Sequence, residues 1–415
     1  MAEKILIVGA GQAGMQIAVS LREADFAGDI TIIGEESYAP YQRPPLSKAF
    51  LSEDADEESL EFRNAKFYAD NSITLITGEK IVSAEFTETG GVATSAAGQT
   101  YDFNKLALAP GSTPRKLPLE GADLDGVLYL RDLDDAKALR ARWSAAQNVV
   151  VVGGGFIGLE VAAAARKAGK TVTVLEAADR LMARAVSPIT SEFYRQAHER
   201  RGTSVQLAAQ LSKFVGAASK VTGVELVDGT VIPAEIVMVG IGVIARGEVA
   251  QSLGLETANG AIVVNEFAET SNPLVVAAGD AVLLPYPLGG DSQVRLESVQ
   301  NAVDQAKVAA ATLMGNREAY HAVPWFWSDQ ADLKLQIAGL STGYDQTVLR
   351  GNQNDEHFSV LYYRESQLIA VDAVNDVPDY MAVRRALAAG ANIPAELAAD
   401  SATALKTIIT TTEKA

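Results

Sequence analysis

The stretch VVVVGGGFIGLE, residues 149–160, turns an apolar run of valines abruptly into glycines, and a helical pattern then continues to residue 168. A buried strand that passes through such a turn into a helix leaves the first N–H groups of the helix unpaired. The positive end of the helix dipole falls at the same point. That point suits a pyrophosphate. The spacing Gly153-x-Gly155-x-x-Gly158 meets the dinucleotide fingerprint: a tight turn, close approach of phosphate to backbone, and close helix–strand contact.

The chain carries the same arrangement near its start. Residues 5–8 are an apolar strand pattern closed by Gly9, Gly11 and Gly14, with Ala13 inside the turn; Ile17, Ala18 and Leu21 then share one helix face. A second strand pattern, residues 30–33, ends at Glu35, about 20 residues past the fingerprint, where a carboxylate accepts both ribose hydroxyls of an adenosine. In the second copy the strand pattern 171–175 ends at Glu176, which would hold a ribose diol and repel a 2′-phosphate. NAD is therefore favoured over NADP, although Arg180 lies close enough to blur that preference. Two such units imply two dinucleotides facing each other. Flavin plus nicotinamide is the economical pair, because a hydride passes between stacked rings.

Composition narrows the chemistry. At 415 residues, two or three domains are expected. Apolar residues make up 48% and charged residues 21%, as in globular proteins; no run is long enough to span a bilayer. No secretory leader is visible before residue 5, and a cytoplasmic location is the default expectation. A formal net charge of −17 argues against a general binder of nucleic acid or of anionic membranes. The chain has no cysteine, which rules out a redox dithiol, a disulfide framework and a cysteine-held cluster. His198, His321 and His357 lie far apart with no ligand spacing, so core or surface roles are expected and no metal. Redox chemistry must come from a bound organic cofactor.

The rest of the chain supplies candidate walls for such a site. In YQRPPLSK, residues 41–48, two prolines stiffen the backbone between Arg43 and Lys48. Lys48 would place a cation by a ring that becomes anionic on reduction, and Arg43 would meet pyrophosphate. As a bland alternative, the segment is a stiff surface loop before an acidic helix near residues 53–58. Short strands run through 101–109. A hairpin with a primed turn is expected at Asp228-Gly229, and a buried strand leads to Gly242, where backbone would approach a nicotinamide closely. The strand pattern 274–280 ends at Asp280, placed to grip a ribityl chain or to act as an ordinary turn residue. An amphipathic helix is expected over 295–311. From residue 321, strands at 333–338, 347–350, 358–363 and 368–374 and a helix at 378–389 predict a smaller α+β domain.

With these motifs in place, the chain resembles, over essentially its full length, the FAD-containing ferredoxin reductases of Rieske dioxygenase and bacterial cytochrome P450 systems. The motifs that carry the resemblance are VGAGQAG (8–14), RPPLSK (43–48), VVGGGFIGLE (151–160), AAGD (277–280), RLESVQNA (295–302) and PWFWSDQ (324–330). It implies a glutathione-reductase-like α/β fold of two Rossmann-like dinucleotide-binding domains plus a smaller α+β C-terminal domain. The expected division is 1–111 with 245–320 for FAD, 112–244 for NAD, and 321–415 for the C-terminal domain.

The resemblance assigns Gly9, Gly11, Ala13, Gly14, Glu35, Arg43, Pro45, Lys48, Ile81, Ala109, Arg131, Asp280, Val299 and Trp327 to FAD. Gly153, Gly155, Gly158, Glu160, Glu176 and Gly242 go to NADH. It implies that Lys48 and Glu160 stand beside the flavin and nicotinamide, and that Trp327 lies between flavin and incoming ferredoxin. The sequence departs from the family at Pro110, which removes a backbone donor, and at Ala245-Arg246, which alters the loop after Gly242.

The implied reaction moves a hydride from NADH to FAD and then single electrons to a [2Fe–2S] ferredoxin that feeds an oxygenase. The alternatives are a same-fold reductase acting on a quinone, oxygen or ascorbate radical, and a non-enzymatic flavoprotein kept for interaction or signalling. An acidic ferredoxin would need a local basic patch, expected at Arg295, Lys307 and Lys334.

Overall fold

The computed structural model describes residues 3–288 and 292–411. The reading of the chain's start at Met1 and of the last four residues of its tail lies outside them. The chain is α/β, and its backbone divides into two compact units. One comprises Met1–Gln42, Glu57–Thr113 and Val243–Pro324; the other comprises Arg43–Asp56, Pro114–Gly242 and Trp325–Ala415.

The first unit is built on a five-stranded parallel sheet, in the order Val275–Ala277, Lys105–Leu108, Lys4–Val8, Asp29–Ile33, Ile73–Ile76. Its strands are apolar at successive positions because both faces are covered, as parallel sheets require. On one face, Ile5, Ile7, Ile30 and Ile32 meet Ile17 and Leu21 of the helix Gln12–Glu23. Ala302, Ala306, Ala309 and Leu313 of the helix Val299–Leu313 join the same cluster. The alanines let that second helix lie close. Ser298 caps it by accepting from the Asn301 N–H.

The second unit repeats the plan: Thr203–Gln206, Thr171–Leu175, Asn148–Val152, Ile236–Val239 and Val127–Leu128, all parallel. In each unit a three-stranded antiparallel meander stands between two strands of the sheet. These are Ile81–Thr87, Gly90–Ser95, Thr100–Phe103 in the first and Leu211–Ala217, Lys220–Leu226, Val231–Pro233 in the second. The turn at Asp228-Gly229, between the last two strands of the second meander, is not of the primed type. Of these two residues only Gly229 has positive φ, +86°, and its N–H donates to the Leu226 carbonyl. A primed turn needs positive φ at Asp228 as well; an ordinary turn followed by a glycine bulge serves here. The acidic helix expected near 53–58 is instead the single turn Glu57–Leu60.

The C-terminal segment forms an antiparallel sheet in the order Trp325–Gln330, Leu333–Gly339, Gln367–Val374, His357–Arg364, Gln346–Asn352. The helix Val377–Ala388 packs on it. The first of these strands did not emerge from the sequence, because its aromatic run has no clear alternation. Within the second unit this sheet is fastened to the helix Pro188–Arg200. Arg201 pairs with Glu356 at 2.6 Å, and Tyr362 OH accepts from the Ser187 N–H at 2.8 Å. Asp372 accepts from Thr190 Oγ1 at 2.8 Å and from Tyr362 OH.

Asp372 is fully buried, both donors act on Oδ2, and Oδ1 has no partner. Burial pushes its carboxyl up to about 7. A raised folded-state value means that folding favours the protonated acid. Its contribution is complete below the unfolded carboxyl range and is lost as pH rises through 7. Asp372→Asn keeps the acceptor and removes the titration. Melting curves at pH 5 and pH 8 should show the variant gaining on the parent at the higher pH, by at most about 3 kcal/mol. An equal difference at both pH values would show that Asp372 does not titrate in this window.

Candidate functional site

In both glycine turns, the first and third glycines are packing positions. A Cβ at Gly9 would lie 2.0 Å from the Ala109 carbonyl oxygen, and one at Gly14 would lie 1.9 Å from that of Gly9. The second copy matches, with Gly153 at 2.4 Å from the Gly240 oxygen and Gly158 at 2.2 Å from that of Gly153. The middle glycines differ in kind. A Cβ at Gly11 or at Gly155 would meet nothing within 4 Å. Both are N-cap residues in extended conformation with no side-chain cap. Each helix therefore begins with open space in front of N–H groups that no side chain satisfies, which fits a pyrophosphate in both turns.

The first unit contains Ala13, Glu35, Ile81, Ala109, Asp280 and Val299. Ala13 is buried, and its methyl would lie 3.2 Å from a Cβ built on Gly279. Glu35 follows the second strand and pairs with Lys80 at 3.2 Å and with Arg246 at 2.5 Å. Burial opposes its ionisation, but the two cations outweigh this and hold its carboxyl below the usual range. Arg246, one of the family departures, thus acts on the first carboxylate, and its N–H donates to the Gly111 carbonyl at 3.1 Å. Asp280 follows Gly279, accepts from Ser112 Oγ at 3.3 Å, and is followed in the chain by the buried strand Val282–Pro285. Val299 opens its helix, and Ile81 is a buried strand residue.

The remaining flavin candidates, Arg43, Pro45, Lys48, Arg131 and Trp327, belong to the second unit. Arg43 Nη1 donates to the Arg131 carbonyl at 2.6 Å, so those two are adjacent. Pro44–Ser47 winds into a single 3-10 turn with buried Leu46 and Ser47. These two buried side chains anchor the segment, unlike the stiff surface loop of the alternative. At its end Lys48 Nζ lies 2.7 Å from Glu160 Oε2. Glu160 sits on the helix Phe156–Lys167 and is only 6% exposed. Ser47 Oγ donates to Oε2 at 2.6 Å, and Ser328 Oγ donates to Oε1 at 2.8 Å. Trp327 is half-buried, its ring centroid 5.6 Å from that of Trp325.

At the second turn, Glu176 accepts from the Gly154 N–H and from the Ala178 N–H, each at 2.7 Å. The carboxylate therefore also holds the turn in shape. Arg180, the cation that clouded the NAD preference, is committed elsewhere. Its Nη1 donates to the Val186 carbonyl and Ser191 Oγ, and its Nη2 donates to the Ala183 carbonyl. Gly242 has φ +101°, a conformation that suits glycine.

The sequence reading missed Lys80 and Arg246 as partners of Glu35, and Ser47 and Ser328 as partners of Glu160. Both serines lie inside quoted motifs, and a serine at a buried position needs a partner. The expected basic patch is weaker than foreseen. Arg295 pairs with Glu297 and Lys307 with Asp304 in the first unit, while Lys334 stands opposite Asp329 in the second. A cation matched by an adjacent carboxylate projects little net field. His198 is buried, and His321 and His357 are exposed. Among the described residues there is no cluster of side chains able to hold a metal, nor a helix long and apolar enough to cross a membrane.

Comparison with known proteins agrees with this geometry. The pyridine nucleotide-disulphide oxidoreductase family matches residues 3–306, and the reductase C-terminal family matches 325–409. Rhodocoxin reductase of Rhodococcus erythropolis is 45% identical over 405 residues, covering 98% of this chain and 94% of that one. The ferredoxin–NAD(+) reductase component of the p-cumate 2,3-dioxygenase system of Pseudomonas putida is 38% identical, with 92% of each chain covered. Among solved structures, the ferredoxin reductase for the CYP199A2 system from Rhodopseudomonas palustris superposes with a TM-score of 0.93 at 42% identity. It covers 98% of this chain and 99% of that one. The covalent putidaredoxin reductase–putidaredoxin complex gives 0.94 at 37% identity, with 98% of each covered. On its sequence, its paired glycine turns and these matches, the chain belongs to the pyridine nucleotide-disulphide oxidoreductase family, with a reductase C-terminal domain.

Proposed function

We propose that this protein is an FAD-containing, NADH-dependent ferredoxin reductase that supplies a [2Fe–2S] ferredoxin, and through it a Rieske oxygenase or a cytochrome P450. The observation that carries the reading is the pair of open positions at Gly11 and Gly155, one cradle in each unit. Relatives named as reductases of rhodocoxin, of putidaredoxin and of the ferredoxin of a dioxygenase system support the acceptor over a quinone, oxygen or ascorbate radical. The absence of cysteine removes the dithiol route open to disulfide reductases of this fold. Bound FAD would supply the chemistry of hydride acceptance from NADH and release of two electrons one at a time.

The chain's own residues bind and orient. The turn Gly9–Gly11–Gly14 with Glu35 and Asp280 would hold FAD, joined by Ala13, Ile81, Ala109 and Val299. Arg43, Pro45 and Arg131 belong to the same FAD set in this reading. The turn Gly153–Gly155–Gly158 with Glu176 and Gly242 would hold NADH. Lys48 would hold a positive charge at the flavin ring, steadied by Glu160, and Trp327 would stand on the electron's way out. The domain division 1–111 with 245–320, 112–244 and 321–415 and a cytoplasmic location belong to the same reading. With Arg180 committed to carbonyls and Ser191, the carboxylate of Glu176 is left to set the nucleotide preference.

Two valines test the cradles separately. Gly11→Val should yield protein without bound FAD, whereas Gly155→Val should remain yellow but resist bleaching by NADH. If both retain FAD and NADH bleaching, the turns do not hold phosphates. Glu176→Arg should move the preference from NADH toward NADPH by at least about tenfold in kcat/KM, the size of one charged contact. Equal losses for both nucleotides would place Glu176 away from the ribose.

A further inference from the structure

Behind the Lys48–Glu160 pair, a line of hydrogen bonds runs within the second unit and ends at a histidine. Glu160 Oε1 accepts from Ser328 Oγ at 2.8 Å. Gln330 Nε2 lies 3.2 Å from Ser328 Oγ, and Gln330 Oε1 lies 2.8 Å from His198 Nε2. The members are buried, with exposures of 6% for Glu160, 0% for Ser328, 1% for Gln330 and 4% for His198.

Counting hydrogens fixes the direction of every bond. A carboxylate only accepts, so the single Ser328 hydroxyl hydrogen points at Glu160. Ser328 can then only accept from Gln330, which sets the orientation of the amide and turns its oxygen toward His198. An amide oxygen only accepts, so His198 must carry a hydrogen on Nε2. Burial lowers the pKa of His198, and the neutral ring therefore holds its one hydrogen at that nitrogen.

We propose that Ser328, Gln330 and His198 are positioning residues, a one-way chain that fixes the Glu160 carboxylate and through it the Lys48 ammonium. The inference rests on the reading above that this pair serves the flavin. Glu160 is gripped from two sides. Ser47 Oγ at 2.6 Å and Lys48 Nζ at 2.7 Å hold Oε2, and the chain holds Oε1. The terminal torsion of a glutamate is soft. With the Oε1 side released, the carboxylate turns and the ammonium follows it. Ser328 and Gln330 share one face of the strand Trp325–Gln330, while Trp325 and Trp327 share the other. The strand that presents Trp327 is thus the one that locks Glu160.

The test uses the FAD-loaded full chain. In unmodified protein labelled with 15N-histidine, His198 should show the neutral form with its hydrogen on Nε2, protected from exchange. Ser328→Ala should slow flavin bleaching at saturating NADH about tenfold, the size of one lost hydrogen bond to a charged group. Its affinity for NAD+ should stay unchanged. Ser328→Thr, which restores the hydroxyl, should recover most of the rate. A hydrogen on Nδ1 alone, or a doubly protonated ring, overturns the chain's direction without any variant having to fold. A normal rate in Ser328→Ala beside a slow Lys48→Ala overturns the positioning role. A normal rate in Lys48→Ala removes the reading of the pair itself, and the inference with it.

Discussion

Everything in this chain depends on two helix N-termini that are kept bare. Most helices begin with a serine, threonine or aspartate whose oxygen satisfies the first free N–H groups, as Ser298, Asp132 and Ser187 do here. Gly11 and Gly155 do not. Each begins its helix without a side-chain acceptor and with no atom where a Cβ would stand. The N–H groups can be matched only by something that is not part of the chain. The flanking glycines press strand against helix so closely that the opening stays small, and the parallel sheets hold the turns at the carboxyl ends of their central strands.

Charge is arranged around those openings by pairing. Glu35 is held by Lys80 and Arg246, while Glu176 is held by backbone N–H groups alone. The first carboxylate meets cations that moderate its charge. In the proposed reading, the second keeps a field that would disfavour a further phosphate. Glu160 is a third case: a buried carboxylate with an ammonium on one oxygen and a hydroxyl on each. A buried ion pair contributes little to stability by itself, but removing either partner is costly. Such a pair is better understood by what it holds in place.

The glycine turns, both terminal carboxylates and the repeated strand–helix–strand order were legible in the sequence, because each follows from local spacing. The hairpin at Asp228-Gly229 was legible as a hairpin but not in its turn type, since aspartate-glycine serves two geometries and strand register decides between them. The strand holding Trp325, Phe326 and Trp327 was hidden because aromatic residues face both sides of it. The long-range partners were beyond reach. Nothing in the order of residues ties Ser47 to Glu160 across 113 positions or Arg246 to Glu35. Lys307 and Arg295 were expected as free cations, yet each has a carboxylate three or fewer positions away, which spacing alone should have revealed.

The most direct measurement of the central claim is an anaerobic titration that counts electrons. The purified yellow protein is reduced with one equivalent of NADH and then mixed with an oxidised [2Fe–2S] ferredoxin, while flavin and cluster absorbance are followed together. Bleaching by NADH should be followed by reduction of two clusters for each NADH consumed. Bleaching followed by transfer to a quinone but to no iron–sulfur protein would contradict the acceptor, and a protein that NADH leaves yellow would contradict the paired cradles.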